Sequence, residues 1–344
     1  MNLIGDHTDY QDGLCLPIAI DREVRVAYGK RADARVVVHS RDLDETVELT
    51  ADGSAEPSTV TPEWGRLVAG VVRVLGGLGR PAVGADVEIA STIPIGSGLS
   101  SSAAFAVALA GALADVAGRP LAGTELARAA QSAEHIGTGT PCGVMDQMAA
   151  VHGRAGHAVL IDCRTLATEP IALPDRLAVV VVHSGLPRSL ATSAYAERRA
   201  ATERAAAALG VATLRDATAD AVAGDPFARH VVSENERVRR FADALRAGDV
   251  ATLGRLALES HRSLARDFEV STPELDLLVE LAVDSGAYGA RLTGAGFGGC
   301  VVALVDTERA GAMVATVVDR YRAETGLEPA AFRARAVDGA GPTD

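Results

Sequence analysis

Lysine occurs once, at Lys30, and aromatic residues make up only 3% of the 344 positions. Most Walker-type phosphate loops and Schiff-base enzymes need a lysine in a specific loop or helix, so a single lysine removes most of that chemistry. Few aromatic faces leave few platforms for stacking bases or sugar rings. The four cysteines, Cys15, Cys142, Cys163 and Cys300, are scattered and form no Cys-x-x-Cys pair. That spacing argues against a metal cluster or a disulfide framework and fits a reducing cytosol. The first residues carry no basic and apolar leader, and the longest apolar run, Ala103 to Ala114, is well short of the roughly 20 residues that cross a bilayer. A cytoplasmic protein is the expectation.

With 45 acidic against 33 basic residues the net charge is −12. Such a surface repels nucleic acid and anionic membranes, so an anionic ligand must be held by a local site. An apolar fraction of 48% with 23% charged residues is an ordinary globular balance that excludes wholesale disorder.

Alternation predicts strands from Leu14 through Val24, Val26 and Tyr28, at Val36 to Val38, at Val47 to Leu49 and at Val83 to Ile89. Helices are expected at Trp64 to Leu75, from Ser102 to about Gly118, and from Leu121 to Ile136. Ala158 to Asp162 reads as a strand, and the continuous apolar run Ala178 to His183 as a buried one. From Ser189 to about Ser285 the pattern is helical, broken at Gly210, Gly224-Asp225-Pro226 and Gly248-Asp249. Strands return at Arg291 to Thr293, Cys300 to Val305 and Ala331 to Ala336, with a helix between at Arg309 to Arg322. The partition expected is α+β in two domains, 1–178 and 179–338, with a tail at 339–344.

Two glycine-rich strings stand out. In Pro94-Ile95-Gly96-Ser97-Gly98-Leu99-Ser100-Ser101-Ser102-Ala103-Ala104, glycines would let backbone amides approach a phosphate at the start of an Ala-rich helix. The serines could cap that helix or coordinate a cation, and composition alone reads equally well as a plain turn and N-cap. The second string, Gly294-Ala295-Gly296-Phe297-Gly298-Gly299, formally fits a dinucleotide fingerprint. That fingerprint needs a helix next, and a strand pattern follows instead, which rejects it and leaves a hairpin connection as the simpler reading.

Two polar constellations remain: Asn2-Leu3-Ile4-Gly5-Asp6-His7-Thr8-Asp9-Tyr10, and Glu134-His135 followed by Pro141-Cys142-Gly143-Val144-Met145-Asp146-Gln147. A lone loop carboxylate is ordinarily a turn or cap residue. In company with the glycine strings, the sequence resembles the galactokinase family of GHMP small-molecule kinases. Gly5 to Tyr10 resembles that family's sugar signature, Pro94 to Ala104 its phosphate loop, and Leu292 to Cys300 its third glycine motif, in the family's order. Pro141 to Gln147, Ile161 to Arg164, His261 to Leu264 and Ser271 to Asp276 match as well, so the similarity covers nearly the whole chain.

The resemblance implies a two-domain α+β fold, the first domain ribosomal-protein-like with a left-handed β-α-β crossover, the second ferredoxin-like. It implies ATP- and Mg2+-dependent phosphorylation of the anomeric hydroxyl of galactose, as in the Leloir route of galactose catabolism. Carried over residue by residue, it makes Asp146 the catalytic base. Ser102 and Glu134 become the magnesium ligands. Gly96, Ser97, Gly98, Leu99, Ser100, Ser101 and Ser102 cradle the ATP phosphates, and Asp6, His7, Thr8, Asp9, Gly143, Asp146 and Tyr195 line the sugar pocket. Trp64 matches a residue near the adenine as readily as it matches core packing. A monomer without nucleic-acid or membrane partners is expected.

There are two departures from the family pattern. The family carries Glu where this chain has Asp6, which bears on sugar specificity. It also places Pro-Gly-Arg-Val before the residue matching Asn2, whereas Met1 stands here at the valine's position. The expectation is a start assigned too far downstream, an initiating GTG codon being read as Met. Related readings are a GHMP kinase acting on L-arabinose, galacturonate or N-acetylgalactosamine, and a sugar sensor that performs no chemistry.

Overall fold

The computed structural model describes residues 1–94, 98–186 and 191–342. In chain order it begins with β1 (Leu14–Cys15), β2 (Val24–Lys30), β3 (Arg35–Ser40), β4 (Glu45–Thr50), α1 (Gly65–Gly77) and β5 (Ala85–Ser91). Then come α2 (Ser101–Val116), α3 (Gly123–Thr138), α4 (Met145–His152), β6 (His157–Asp162), β7 (Thr168–Ala172) and β8 (Leu177–His183). The helical stretch comprises α5 (Ala191–Leu209), α6 (Pro226–Ala247), α7 (Val250–Arg266) and α8 (Pro273–Asp284), and the chain closes with β9 (Gly289–Thr293), β10 (Cys300–Asp306), α9 (Ala310–Thr325) and β11 (Ala330–Ala334). Two compact units result, neither continuous in sequence. One is built on Met1–Asp21 and Gly153–Asp338, the other on Arg22–Pro94 and Ser100–His152.

In the second unit the sheet order is β2-β5-β3-β4. β5 alternates as its sequence predicts, burying Ala85, Val87 and Ile89. β3 and β5 run parallel, so the chain between them must cross over, and β4 and α1 make that connection. Helix α2 is apolar on most faces and buries Ala106, Val107, Leu109 and Leu113 in the core it shares with α1 and α3. Helices α1 and α3 touch backbone to backbone: a Cβ on Gly70 would run into the Ala133 carbonyl, and one on Gly137 would come within 2.7 Å of the Arg66 carbonyl. Trp64 donates from Nε1 to Glu45 Oε2 at 2.7 Å and meets Phe105 edge-on with centroids 6.3 Å apart.

In the first unit β8 and β10 are the central strands of an antiparallel sheet ordered β11-β8-β10-β9. Both are buried along nearly their whole length, which is why their sequences read as continuous apolar runs. A second sheet, β1-β6-β7, lies in the same unit. The helix breaks fall at capping residues: Asp225 accepts from the Ala228 amide with Pro226 at the first helical position, Gly248 ends α6 in the left-handed region, and Asp249 accepts from the Thr252 amide.

The architecture is α+β, as expected. Three elements differ from the sequence reading. The alternation from Leu14 to Val24 yields only the two-residue β1 and isolated bridges at Pro17 and Ile20, Pro17 having no amide to donate to a ladder. β7 carries Pro170 and was not expected. Asp146, read as a loop residue, stands in the first turn of the short helix α4.

Candidate functional site

The sugar-signature residues belong to the first unit. His7 takes a left-handed backbone, φ 62, that non-glycine residues avoid unless the surroundings enforce it. Its Nε2 donates to the Ala295 carbonyl at 3.2 Å, which fixes the tautomer and leaves Nδ1 to accept from the Tyr10 hydroxyl at 2.9 Å. Burial drives the ring's pKa down to about 3, aided by the charges of His230, Arg291 and Arg198 and opposed by the Ala295 bond. His7 is therefore a neutral group of fixed direction. Phe268 and Tyr195 pack against the ring at centroid distances of 4.6 and 5.5 Å, and Tyr10 meets Tyr195 edge-on at 5.7 Å.

The other signature residues divide into half-buried and buried. Asp9 is half-buried and its Oδ1 accepts from the Tyr10 amide at 3.0 Å. Thr8 is fully buried, its hydroxyl placed between the carbonyls of Gly5 and Leu14 at 2.9 and 2.8 Å. Asp6 is 2% exposed; its Oδ1 accepts from the Gly294 amide at 3.0 Å, and its Oδ2 lies 2.6 Å from Arg291 Nη2. Burial raises the Asp6 pKa even against the opposing charge of Arg291. The glycine string 294–299 is the hairpin connection between β9 and β10, with Thr293 paired to Cys300. It also holds the signature, through Gly294 to Asp6 and through Ala295 to His7.

The second unit gathers the remaining carboxylates. Gln131, Glu134 and His135 recur at helical spacing on one face of α3, and all three grip the segment that starts α4. The Cys142 carbonyl accepts from His135 Nε2 at 2.7 Å and from Gln131 Nε2 at 3.3 Å. Glu134 Oε2 accepts from Gln147 Nε2 at 2.7 Å, while its Oε1 accepts from the Ser102 hydroxyl at 2.6 Å. Burial raises the Glu134 pKa; the Ser102 bond opposes this, the charge of Asp146 adds to it and the Gln147 bond opposes it. Asp146 is half-buried at the N-terminal end of α4, where the helix dipole favours a carboxylate, and Gly143 is buried just before it. The structure thus brings Ser102, Glu134, Gly143 and Asp146 together in one unit, and Asp6, His7, Thr8, Asp9 and Tyr195 in the other.

Of the expected phosphate-cradling residues, Gly96 and Ser97 lie outside the described residues. Gly98 and Ser100 both take left-handed backbone, φ 77 and 62, and Leu99 is buried. Ser101 and Ser102 open α2. No side-chain hydrogen bond caps that helix, so Ser100 does not act as the hydroxyl cap that the sequence allowed. An uncapped helix start presents amides and positive dipole to an anion. Sequence reasoning gave no role to Gln147, Gln131 or Arg291. The spacing of 131, 134 and 135, and an arginine within an apolar strand, were the available signals.

The GHMP kinases N terminal domain family matches residues 66–154, and the GHMP kinases C terminal family matches residues 241–323. Solved mevalonate kinases share the fold: that of L. major in complex with R-mevalonate has a TM-score of 0.69 at 22% identity, covering 99% of this chain and 94% of its own. These matches define a GHMP kinase fold. The galactokinase galactose-binding signature matches residues 1–30. The galactokinase of Roseiflexus sp. (strain RS-1) is 44% identical over 356 residues, covering 99% of this chain and 90% of its own, and that of Chloroflexus aggregans is 44% identical over 346 residues, covering 96% and 88%. Lactococcus lactis galactokinase complexed with galactose superposes with a TM-score of 0.92 at 32% identity, covering 99% of this chain and 92% of its own. The chain belongs to the galactokinase family.

Proposed function

We propose that this chain is a galactokinase, transferring the γ-phosphoryl group of ATP to the anomeric hydroxyl of α-D-galactose to give α-D-galactose 1-phosphate and ADP. The observation that carries this reading is a galactose-binding signature at residues 1–30 of a chain that resembles galactokinases from end to end. Its chemistry follows from the side chains. Asp146, seated by α3 through Gln147 and the Cys142 carbonyl, accepts the proton as the sugar oxygen attacks phosphorus. On this reading Asp6, His7, Thr8, Asp9 and Tyr195 of one unit and Gly143 and Asp146 of the other serve the sugar; buried Thr8, held by the Gly5 and Leu14 carbonyls, and neutral His7, held by Ala295 and Tyr10, fix the course of the signature. Gly96, Ser97, Gly98, Leu99, Ser100, Ser101 and Ser102 hold the ATP phosphates with backbone amides and the start of α2, so one lysine in the whole chain is no obstacle.

The residues also fit Mg2+. Ser102 Oγ and Glu134 Oε1 are hard oxygen donors 2.6 Å apart beside that helix start. Among the described residues no group of three or more His, Cys, Asp or Glu forms a ready cage. A site that keeps one carboxylate and leaves its other positions to phosphate oxygens and water is how Mg2+ is ordinarily bound with a nucleotide. When bound there it neutralises charge on the phosphates.

ADP release measured with galactose, L-arabinose, galacturonate and N-acetylgalactosamine tests the reading. Galactose is expected to show the highest kcat/KM, and a higher value for another sugar would replace it. Asp146→Asn is expected to lower kcat by about 10²- to 10⁴-fold.

A further inference from the structure

Arg291 lies in the middle of β9 and is 1% exposed, although a guanidinium keeps its charge in a protein. Its Nη2 is 2.6 Å from Asp6 Oδ2 and 3.9 Å from Glu234 Oε1, and its Nη1 donates to the Leu3 carbonyl at 3.1 Å. Glu234, fully buried on α6, accepts at Oε1 from the Gly5 amide at 3.0 Å and from the Ser260 hydroxyl at 2.6 Å. Its Oε2 pairs with Arg237 Nε at 2.6 Å. Two carboxylates and two guanidiniums therefore balance in charge. The main chain or side chain is fixed at Leu3, Gly5, Asp6 and His7 in turn, and Arg291 makes two of those ties itself.

We infer that Arg291 is a positioning residue for the sugar-signature segment, setting the path of the chain that presents His7 and Asp9 without touching the sugar. The inference rests on the reading of the chain as a galactokinase. A buried ion pair that only stabilised the unit would make the same contacts, but the two roles separate in kinetics. Loss of stability lowers the folded fraction and leaves KM unchanged; loss of position raises KM in the protein that remains folded.

Arg291→Lys, Arg291→Gln and Arg291→Met are compared with the wild type in the full chain, by thermal unfolding and by steady-state kinetics with galactose and ATP. Lysine keeps the charge but cannot fork between Leu3 and Asp6. The folded variants are expected to show a galactose KM raised about 10- to 100-fold, with the ATP KM within about twofold of wild type. Lysine should be the mildest of the three. The combined effect of Asp6→Asn and Arg291→Lys on galactose KM should be smaller than the product of the two separate effects, because the two substitutions share the Asp6–Arg291 tie while the Leu3 tie depends on Arg291 alone. If Arg291→Met does not fold, the lysine and glutamine variants carry the test. A folded variant with a wild-type galactose KM overturns the inference, as do fully additive effects of Asp6→Asn and Arg291→Lys. A wild type inert towards galactose is a different result, which removes the functional reading on which the inference stands.

Discussion

Glu134 carries a buried negative charge whose donors are neutral: the Ser102 hydroxyl, the Gln147 amide and the Cys142 thiol. Such a carboxylate is destabilising unless something cationic joins it, and burial accordingly raises its pKa. Gln147 Oε1 is buried without a hydrogen-bond partner, so its amide can reverse to accept from a glutamine at position 134. Glu134→Gln should therefore leave the urea midpoint of the apo protein unchanged or raise it. In the same variant the Mg2+ concentration for half-maximal rate should rise at least about tenfold, the loss expected when a ligand shell is damaged. A magnesium titration at saturating ATP measures this; an unchanged half-saturation point removes Glu134 from the ligand set.

The element that places these groups is α3, and its seat on α1 depends on the absence of a side chain at Gly137. Alanine is the better helix former by about 1 kcal/mol, so propensity alone predicts that Gly137→Ala stabilises. The Arg66 carbonyl, 2.7 Å from where the Cβ would stand, predicts the reverse, since overpacking ordinarily costs about 1 to 3 kcal/mol. Sterics should win. Thermal unfolding is expected to fall, and kcat with it, because the face bearing Gln131, Glu134 and His135 is pushed away from α1; a rise in the midpoint would show that the helices separate freely. What could be read from the sequence follows the same physics. β8, β10 and α2 were legible because burial on both faces, or on most faces, writes itself as apolar runs, and α6 and α7 because Asp225, Gly248 and Asp249 mark their ends. α4 was not, since at eight residues with Pro141 and Gly143 just before it, it shows too little periodicity to separate from a loop. Asp146 was singled out in the sequence by the string around it, whereas the grip of α3 on that string needed the fold. Arg291 was read only as part of a strand, because nothing local reveals that its counter-charge comes from Asp6, far away in sequence.

At the scale of the whole molecule the net charge of −12 matters less than where the titratable groups are buried. His7, His230 and His261 all lie in the unit built on Met1–Asp21 and Gly153–Asp338. Burial lowers their pKa values, to about 3 for His7 and about 4 for His230 and His261. In the unfolded chain each takes up a proton near pH 6.5, while the folded chain takes up none until well below that. The unfolded state binds more protons across this interval, so stability is complete above about pH 6.5 and is lost as the pH falls towards 4. Each histidine contributes at most about 1.4 kcal/mol per pH unit in that window. Glu234, held at about 2 chiefly by Arg237 against its own burial, adds a loss of the same sign only below the ordinary glutamate range. Asp6, whose pKa burial raises, works in the opposite direction and offsets part of the effect. Urea midpoints should therefore fall between pH 7.5 and 5.0. His230→Gln, which can still donate to the Asp6 carbonyl that His230 Nε2 meets at 3.1 Å, should flatten that slope by up to one histidine's share. A slope that His230→Gln leaves untouched would mean that the His230 ring is protonated in the folded chain, and a wild-type midpoint that stays level from pH 7.5 to 5.0 would mean the same of all three rings, so that His7 Nδ1 could not accept from the Tyr10 hydroxyl.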